Sequence, residues 1–416
     1  MCQTRWPRAA GAGAAAPAPA ARKFGTLPAE YVQVMTTTTP TRADAASTTP
    51  TGRRHAYPDL GAVVTCDELP ADLACDLPRR YSSCFCVAEY FDIYDRPDNV
   101  HTCQLEEPRH VVAFTVKGTT AEVLNKVVDI EPAAMERVVA AIFRERPEVH
   151  RVVAEVKFPP GELRRPHRCL LRADDYVVTL PADQDAYDRM IGNTTRKHLR
   201  QYGNGLRRRY PDFALSTLER EEIPRELVEQ VIAWHLDRMH AKGVVSLWEA
   251  GEQQPEQLWR LLRAHGCALC GSIEGRCVAA QLLLFVGDDC WVHTVGFDRA
   301  YEDVHLGLLM TSYSIAESLR RGCARTHLTW GTDIYKRRLG AHPVPAFRVS
   351  IYRSRLWMTV YARERLELLV AQRRDLYWRA RAALSRRLSP VGRLRAWARA
   401  SSASAGSAGG GPPRPA

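Results

Sequence analysis

The stretch GCALCGSIEGRCVAAQLLLFVGDDCWVHTVGF, residues 266–297, decides the fold of this chain. It holds three apolar segments with a high tendency to form strands, at residues 268–273, 278–286 and 290–297. Short turn sequences rich in Gly, Asp and Glu separate them, at residues 274–276 and 287–289. Because such turns are typical of tight hairpins, the three segments predict an antiparallel meander.

The periodicity changes after the meander. Between residues 306 and 319 the apolar residues recur at the spacing of one helix face, and Gly322 follows as a helix stop. A further strand is predicted at 326–330, then the loop or short helix GTDIYKRRLG at 331–340, and a last strand at 347–352. The predicted order is therefore three strands, a helix, a strand, a short element and a strand.

Four local features accompany this order: the Arg-rich segment TRKHLR at 195–200, the segment FDRAY at 297–301 leading to Gly307, a short helix, and the pair Tyr335-Lys336. Together they resemble the GNAT superfamily of acyltransferases over roughly residues 180–355. The resemblance is to the bacterial branch related to Fem-type transferases and to enzymes of extracellular polysaccharide gene clusters. It implies an α/β (α+β) fold of tandem GNAT-like modules, each a mixed, mostly antiparallel sheet flanked by helices.

Residues 57–180 are predicted to form a first globular unit. Strands at 111–116 and 123–128 flank a turn at 117–119, a helix starts at Pro132, and strands follow at 149–156 and 176–180. This order weakly repeats the later one. Two interpretations remain open: a second copy of the module, as the resemblance implies, or an unrelated α/β cap. The second unit then spans 181–355, with helices predicted at 186–202 and within 224–265.

The two ends of the chain differ from its middle in composition. Residues 1–56 are rich in Ala, Thr, Pro and Arg, and residues 401–416 in Gly, Ser, Ala and Pro, so both are predicted to be disordered. Residues 356–400 carry eleven arginines against three acidic residues and predict a basic helical extension. Its second half, 379–400, could contact a membrane surface peripherally.

The amino-acid composition argues against a membrane-spanning, a DNA-binding and a zinc-binding protein. With 45% hydrophobic and 25% charged residues, the 416-residue chain has the profile of a soluble globular protein, expected in the cytoplasm. No run approaches the about 18 apolar residues that a membrane span needs. The net charge of +11 lies largely in the ends, so it indicates no specific partner, and DNA is not expected. The twelve cysteines lack the spacing of a zinc site, so we expect free thiols and no metal.

The donor site is predicted at the start of the helix after the meander. A helix N-terminus offers free amides and a positive dipole end to phosphates. The resemblance assigns this role to His305, Leu306, Gly307 and Leu308 and implies acyl-CoA as co-substrate. When Gly307 is aligned with the last position of the family's Q/R-x-x-G-x-G/A signature, His305 stands where Gly is expected. Arg196 and Arg200, four residues apart on a predicted helix, would add two guanidinium groups suited to phosphate.

Transfer to an amine requires that the nucleophile lose a proton and that the leaving thiolate gain one. The resemblance assigns Tyr335 as the general acid. Asp333 is the candidate that holds or deprotonates the acceptor amine, and Lys336 would orient a phosphate or an acceptor carboxylate. His293 and Glu274 are reserves: a strand histidine is more often a core residue, and a turn glutamate is more often solvated.

Three functions remain open at this point. The first is an acyl-CoA-dependent N-acyltransferase acting on an amine of a small molecule, a sugar or an amino-acid-like acceptor. The second is a Fem-type transferase with aminoacyl-tRNA as donor, which the basic segments favour. The third is a GNAT-like module without catalysis, which the altered phosphate signature favours and the Tyr335-Lys336 pair disfavours.

Overall fold

One continuous sheet of thirteen strands organises the computed structural model, which describes residues 52–95, 99–241, 248, 254–330 and 334–361. The strands are β1 (Arg54–Tyr57), β2 (Ala62–Thr65), β3 (His101–Leu105), β4 (His110–Lys117), β5 (Thr120–Val123), β6 (Arg151–Val156), β7 (His167–Thr179), β8 (Ala214–Glu219), β9 (Gly266–Ile273), β10 (Arg276–Val286), β11 (Asp289–Phe297), β12 (Arg325–His327) and β13 (His342–Tyr352).

The described helices are α1 (Ala71–Tyr81), α2 (Ala88–Tyr90), α3 (Pro132–Glu145), α4 (Gln184–Met190), α5 (Gly192–Arg209), α6 (Arg225–Ala241), α7 (Gln254–His265), α8 (Leu306–Arg320), α9 (Ile334–Arg338) and α10 (Arg355–Val360). None of the helices in this part of the chain combines the length and the apolar character that crossing a membrane requires. The eleven cysteines in the described ranges are free thiols.

The two halves of the sheet repeat one topology. In the first, β1 to β5 pair in antiparallel order, α3 follows, and β6 then pairs in parallel with β5. In the second, β8 to β11 pair in antiparallel order, α8 follows, and β12 pairs in parallel with β11. The predicted fold class, tandem modules with mixed, mostly antiparallel sheets flanked by helices, is therefore confirmed.

The halves exchange their last strands. The strand order is β1-β2-β3-β4-β5-β6-β13-β7-β12-β11-β10-β9-β8, so β7 from the first half pairs with β12 of the second. In return β13, at the end of the second half, pairs with β6 of the first. The exchanged strands also pair with each other, from His342 opposite Val177 to Ile351 opposite His167. Each half is thus completed by a strand from the other.

The predicted meander is confirmed as β9, β10 and β11. Its first turn places Glu274 and Gly275 at φ of 51° and 72°, the left-handed conformation of the tight hairpin turn expected there. Helix α8 ends before Gly322, whose φ of 73° also lies in the left-handed region. Local turn and stop residues therefore act as the sequence predicts.

Several predicted elements differ from the structure, and the strands expected at 176–180 and 347–352 begin earlier, at His167 and His342. The helix expected at 186–202 is two helices, because Gly192 at φ 76° turns the chain between α4 and α5. The strand expected at 123–128 ends at Val123, since the Asn125 side chain replaces it by accepting from Ala113 N at 2.7 Å. The strand expected at 326–330 ends at His327, and Thr329 has a φ of 54°.

The helices of the second half cover both faces of its sheet. On one face α6 and α7 pack into a hydrophobic cluster that continues into the first half. On the other face α5 and α8 enclose a separate cluster around Leu306 and Leu309. Helix α6 approaches β11 closely at Gly296, where a Cβ atom would lie 2.4 Å from the carbonyl oxygen of Val231. The second half of the sheet is therefore held between two helix layers.

Residues 1–51 and 362–416 lie outside the described residues. Nearly all of the two predicted disordered ends, and most of the predicted basic extension including 379–400, fall in these ranges. Strand β1 begins at Arg54, ahead of the predicted boundary at residue 57. Helix α10 carries the chain to Val360, and Trp357 in it stacks on His150 with ring centres 3.6 Å apart.

Candidate functional site

The parallel strands β11 and β12 separate at the centre of the second half. They pair at only three positions, the last being Trp291 opposite His327. Strand β11 continues to Phe297 along β10, so residues 292–297 have no strand partner on their β12 side in the described part of the chain. The result is a wedge between the two strands. Along its β11 wall the backbone groups lie outside the sheet ladder, and the carbonyl oxygen of Val292 accepts from Thr329 Oγ1 at 3.3 Å.

A β-bulge lies in that wall. The register between β10 and β11 runs from Leu282 opposite Thr294 to Leu283 opposite Val292, so His293 is the extra residue. Its Nδ1 lies 3.0 Å from Thr294 Oγ1, and its ring is 5.7 Å from that of Trp248. Burial, and to a smaller extent the nearby imidazole of His235, lower the pKa of His293 to about 4. The ring is therefore neutral at pH 7 and a weak base.

The backbone at the start of α8 has a left-handed residue at the position where the predicted phosphate-binding signature has a glycine. His305 precedes the helix with a φ of 56°, the left-handed conformation that glycine adopts without strain. Gly307 in the first turn lies against Phe297, and a Cβ atom there would come within 2.7 Å of that ring. Leu306 is buried, whereas Gly307 and Leu308 are half-buried. The N–H of His305 donates to the Glu302 carbonyl oxygen at 3.2 Å and that of Leu308 to the His305 carbonyl oxygen at 3.1 Å. Of the four predicted amides, those of Leu306 and Gly307 can thus face an anion.

Helix α5 packs beside the start of α8. Its Tyr202 ring lies 3.9 Å from the imidazole of His305, and Arg209 forms an ion pair with Asp303. Arg196 and Arg200, with part of the second turn of α8, line a cleft between the two helices. The two predicted arginines therefore lie beside the second turn of α8, and Tyr202 is the α5 residue that contacts the helix start.

Helix α9 follows the wedge on the β12 side. Tyr335 is half-buried and packs against the cluster that contains Leu306. Lys336 is buried, and its ammonium donates to the carbonyl oxygens of Thr329 at 3.1 Å and Trp330 at 2.6 Å. The lysine thus contacts the segment that ends β12. Asp333 lies outside the described residues.

The remaining candidate, Glu274, lies in the turn between β9 and β10. Its backbone N–H donates to the Asp212 carboxylate. His293 lies on the α6 side of the sheet with Trp248 and His235, whereas α8 packs on the other side. The candidates therefore approach the wedge from two sides of the sheet, with Glu274 apart from both groups.

A buried ionic cluster at the narrow end of the wedge is not among the sequence predictions. His327 lies between two buried carboxylates, with Nδ1 2.6 Å from Asp175 and Nε2 3.1 Å from Asp289. Arg325 donates to Asp289 at 2.8 Å, and the ring of His327 stacks on Trp291 at 3.8 Å. These groups join β7, β11 and β12 where β11 and β12 are still paired. In the sequence, the cluster could have been predicted from Asp175, Asp289 and His327, which are ionisable residues within or beside apolar strand segments.

The buried cluster lowers the pKa of the Asp289 carboxyl. Burial alone would raise the pKa of the Asp289 carboxyl, but hydrogen bonds from His327 and Arg325 outweigh it and hold that pKa below its usual range. Within the described ranges, no three His, Cys, Asp or Glu side chains come together as a group that could hold a metal ion.

The sequence matches a family model over residues 193–337, described as Acetyltransferase (GNAT) domain. The match begins in the first turn of α5 and ends in α9, so it contains the wedge, α8 and the Tyr335-Lys336 pair. A search of curated protein sequences gives no match.

Solved structures with a similar arrangement include the C-terminal domain of a putative lysylphosphatidylglycerol synthetase from Agrobacterium fabrum, at 11% identity and a TM-score of 0.44 over 67% of this chain and 89% of that one. FemX matches at 8% identity and a TM-score of 0.48 over 68% and 96%. A tandem GNAT protein from the clavulanic acid biosynthesis pathway matches at 13% identity and a TM-score of 0.33 over 61% and 83%. At these TM-scores the likenesses carry no argument about activity.

Proposed function

We propose, on the premise that residues 193–337 match the family model of a GNAT acetyltransferase domain, that the protein is an N-acyltransferase using acyl-CoA as donor. The acceptor is an amine of a small molecule, a sugar or an amino-acid-like compound, and the setting is the cytoplasm, where such donors are made. The observation that carries the proposal is the wedge between β11 and β12 beside the start of α8.

The donor fits this arrangement in two parts. The pantetheine arm carries amide groups, and the free edge of β11 can pair with them as an added strand would. The pyrophosphate then reaches the amides of Leu306 and Gly307 and the positive end of the α8 dipole. Arg196 and Arg200 on α5 add charge-assisted hydrogen bonds to the donor phosphates.

The chemical step is a direct attack. The acceptor nitrogen forms a bond to the thioester carbon, the carbon–sulfur bond breaks, and the nitrogen loses a proton while the thiolate gains one. Tyr335 donates the proton to the thiolate, and Asp333 accepts the one from the amine. His293, neutral at pH 7, is better suited to hold the amine by a hydrogen bond than to deprotonate it. Lys336 fixes the Thr329–Trp330 segment at the mouth of the wedge.

A second donor, aminoacyl-tRNA, is favoured by one observation. The turn that leads into α8 is a 3-10 helix, Arg299–Val304, closed against α5 by the Arg209–Asp303 ion pair and by Tyr210 against Tyr301 at 5.3 Å. Such a turn leaves less room for a pyrophosphate than an open glycine loop. In this case the cations of α5 would contact the RNA backbone.

Acetyl-CoA or a longer acyl-CoA is expected to raise the melting temperature of the protein. A ligand that binds only the folded state stabilises it by mass action, by about 2.7 kcal/mol at a concentration of 100 times Kd. Differential scanning fluorimetry with acyl-CoA and, in parallel, with charged tRNA measures this. A shift with tRNA and none with any acyl-CoA would replace the donor proposed here, and no shift with either would favour a module without catalysis.

Arg196→Ala combined with Arg200→Ala is expected to weaken donor binding by about 10- to 100-fold, because the two changes together remove a charge-assisted contact to phosphate of about 1.5–3 kcal/mol. Arg200 is exposed and Arg196 is half-buried at the surface, so the fold should tolerate the change. Isothermal titration measures the affinity and urea unfolding the stability. If stability falls sharply while donor affinity stays at the parent value, the arginines are structural.

A further inference from the structure

The cleft between α5 and α8 extends beyond the helix start that the proposed function uses. Its polar lining comes from Asp188, Arg196, Arg200, Asn204, Arg207, Ser312 and Tyr313. At about 210 Å³ it is smaller than the roughly 300–1,000 Å³ typical of sites that enclose a whole small molecule. It therefore suits one group of a larger ligand that continues outside it.

The cleft carries a net positive charge, because three arginines and one carboxylate line it. Among the described residues, neither Arg200 nor Arg207 has a carboxylate within ion-pair distance. Elsewhere on the second half many arginines are paired, for example Arg263 with Glu221, Arg320 with Glu317 and Arg321 with Glu219. One carboxylate, Asp188, does line the cleft, and it accepts from the Gln184 amide at 2.8 Å.

Two further groups in the cleft suit an anion. Tyr313 is half-buried, and burial raises the pKa of its hydroxyl although Arg207 opposes the shift, so it remains a hydrogen-bond donor at pH 7. The hydroxyl of Ser312 and the side-chain amide of Asn204 are neutral donors. A guanidinium group with neutral donors around it is an arrangement that binds phosphate.

The position along α8 indicates which phosphate. Ser312 lies five residues after Gly307, which is about 7.5 Å along a helix axis. The pyrophosphate of CoA leaves the 5′ carbon of its ribose and the separate phosphate leaves the 3′ carbon. A ribose beside the start of α8 can therefore direct its two phosphate groups to the helix start and to the cleft at the same time.

We propose that the α5–α8 cleft binds the 3′-phosphate of the CoA donor, with Arg207 as its main contact. The proposal rests on the proposed function and adds a specificity: the protein distinguishes CoA from dephospho-CoA, which lacks that phosphate and is otherwise identical. Nothing in this selection depends on the acyl group or on the acceptor.

The test compares the affinities of the full chain for CoA and dephospho-CoA by isothermal titration, in the parent, Arg207→Ala and Arg208→Ala. Arg208 is the matched control, because it is the next residue on α5 and lines an outer groove but not the cleft. We expect CoA to bind the parent and Arg208→Ala at least tenfold more tightly than dephospho-CoA. In Arg207→Ala the ratio should fall close to one, with dephospho-CoA binding unchanged and the melting temperature near that of the parent.

Two results would overturn this assignment without affecting the proposed function: equal affinity of the parent for the two compounds, or an equal loss of selectivity in both variants, which would indicate general charge attraction. If the parent binds neither compound, the proposed donor fails together with the cleft assignment. Arg200→Ala serves as the second variant if Arg207→Ala does not fold, and it is expected to reduce the ratio in the same direction.

Discussion

Replacing Tyr335 with Phe is expected to lower the acyl-transfer rate by about 100- to 10,000-fold, the usual share of a positioned proton donor. The change keeps the ring, which packs half-buried against the hydrophobic cluster around Leu306, and removes only the hydroxyl. Affinity for the donor should be nearly unchanged, because the hydroxyl acts mainly when the thiolate leaves. Steady-state kinetics give kcat and the donor KM, and slow acyl-CoA hydrolysis can replace transfer until an acceptor is identified.

Tyr187→Phe is the matched control for this experiment. Its buried hydroxyl donates to the carbonyl oxygen of Leu339 at 3.1 Å, immediately after α9, so it supports the same helix without a proposed chemical role. This variant should lose stability but retain nearly the parent rate. A Tyr335→Phe protein that turns over as fast as the parent would remove Tyr335 from the mechanism, whatever the donor.

Replacing Asp289 with Ala is expected to lower the free energy of unfolding by about 3 kcal/mol, because the change leaves the buried Nε2 of His327 and the guanidinium of Arg325 without their shared acceptor. Asp289 accepts hydrogen bonds from Arg325 and from His327, whose ring is buried between two carboxylates. The loss should appear in urea unfolding at pH 7. Asp303→Ala, which breaks the exposed ion pair with Arg209, is the control and should change little.

The effect of Asp289→Ala should depend on pH in one direction. The pKa of this carboxyl is lower in the folded protein than in the unfolded chain, so its contribution is complete above about pH 4 and is lost as pH falls further. The difference in stability between parent and variant should therefore shrink below pH 4. A difference that is constant from pH 7 to pH 3 would show that lost packing, and not the charge, explains the result.

The parts of the fold that were predicted from sequence are those with local causes. The turn at Glu274-Gly275 and the helix stop at Gly322 act through their own backbone conformation, so a reader of the sequence can locate β9, β10, β11 and α8. The same holds for the start of α8, where His305 adopts the conformation of the glycine it replaces. In each case the residues next to one another in the sequence were sufficient to predict where the element begins or ends.

The remainder depends on residues that are distant in sequence. The strand predicted at 123–128 does not form after Val123, where the Asn125 side chain accepts a hydrogen bond from the backbone N–H of Ala113 on β4. The periodicity of the sequence does not reveal that a side chain takes the place of a backbone partner. The cluster of Asp175, His327 and Asp289 assembles from three strands. The role of Lys336 likewise follows from the carbonyl groups it contacts, which the sequence alone does not place beside it.

The exchange of β7 and β13 has a consequence for how this protein can be synthesised. The first half leaves the ribosome with the edges of β6 and β7 unpaired, since the strand that lies between them is β13, whose last residue is Tyr352. Until then both edges are templates for pairing with other chains. Contacts between residues so far apart also form slowly. Neither half can reach its final form before β13 has left the ribosome, and a chaperone that shields those edges should increase the yield of native protein.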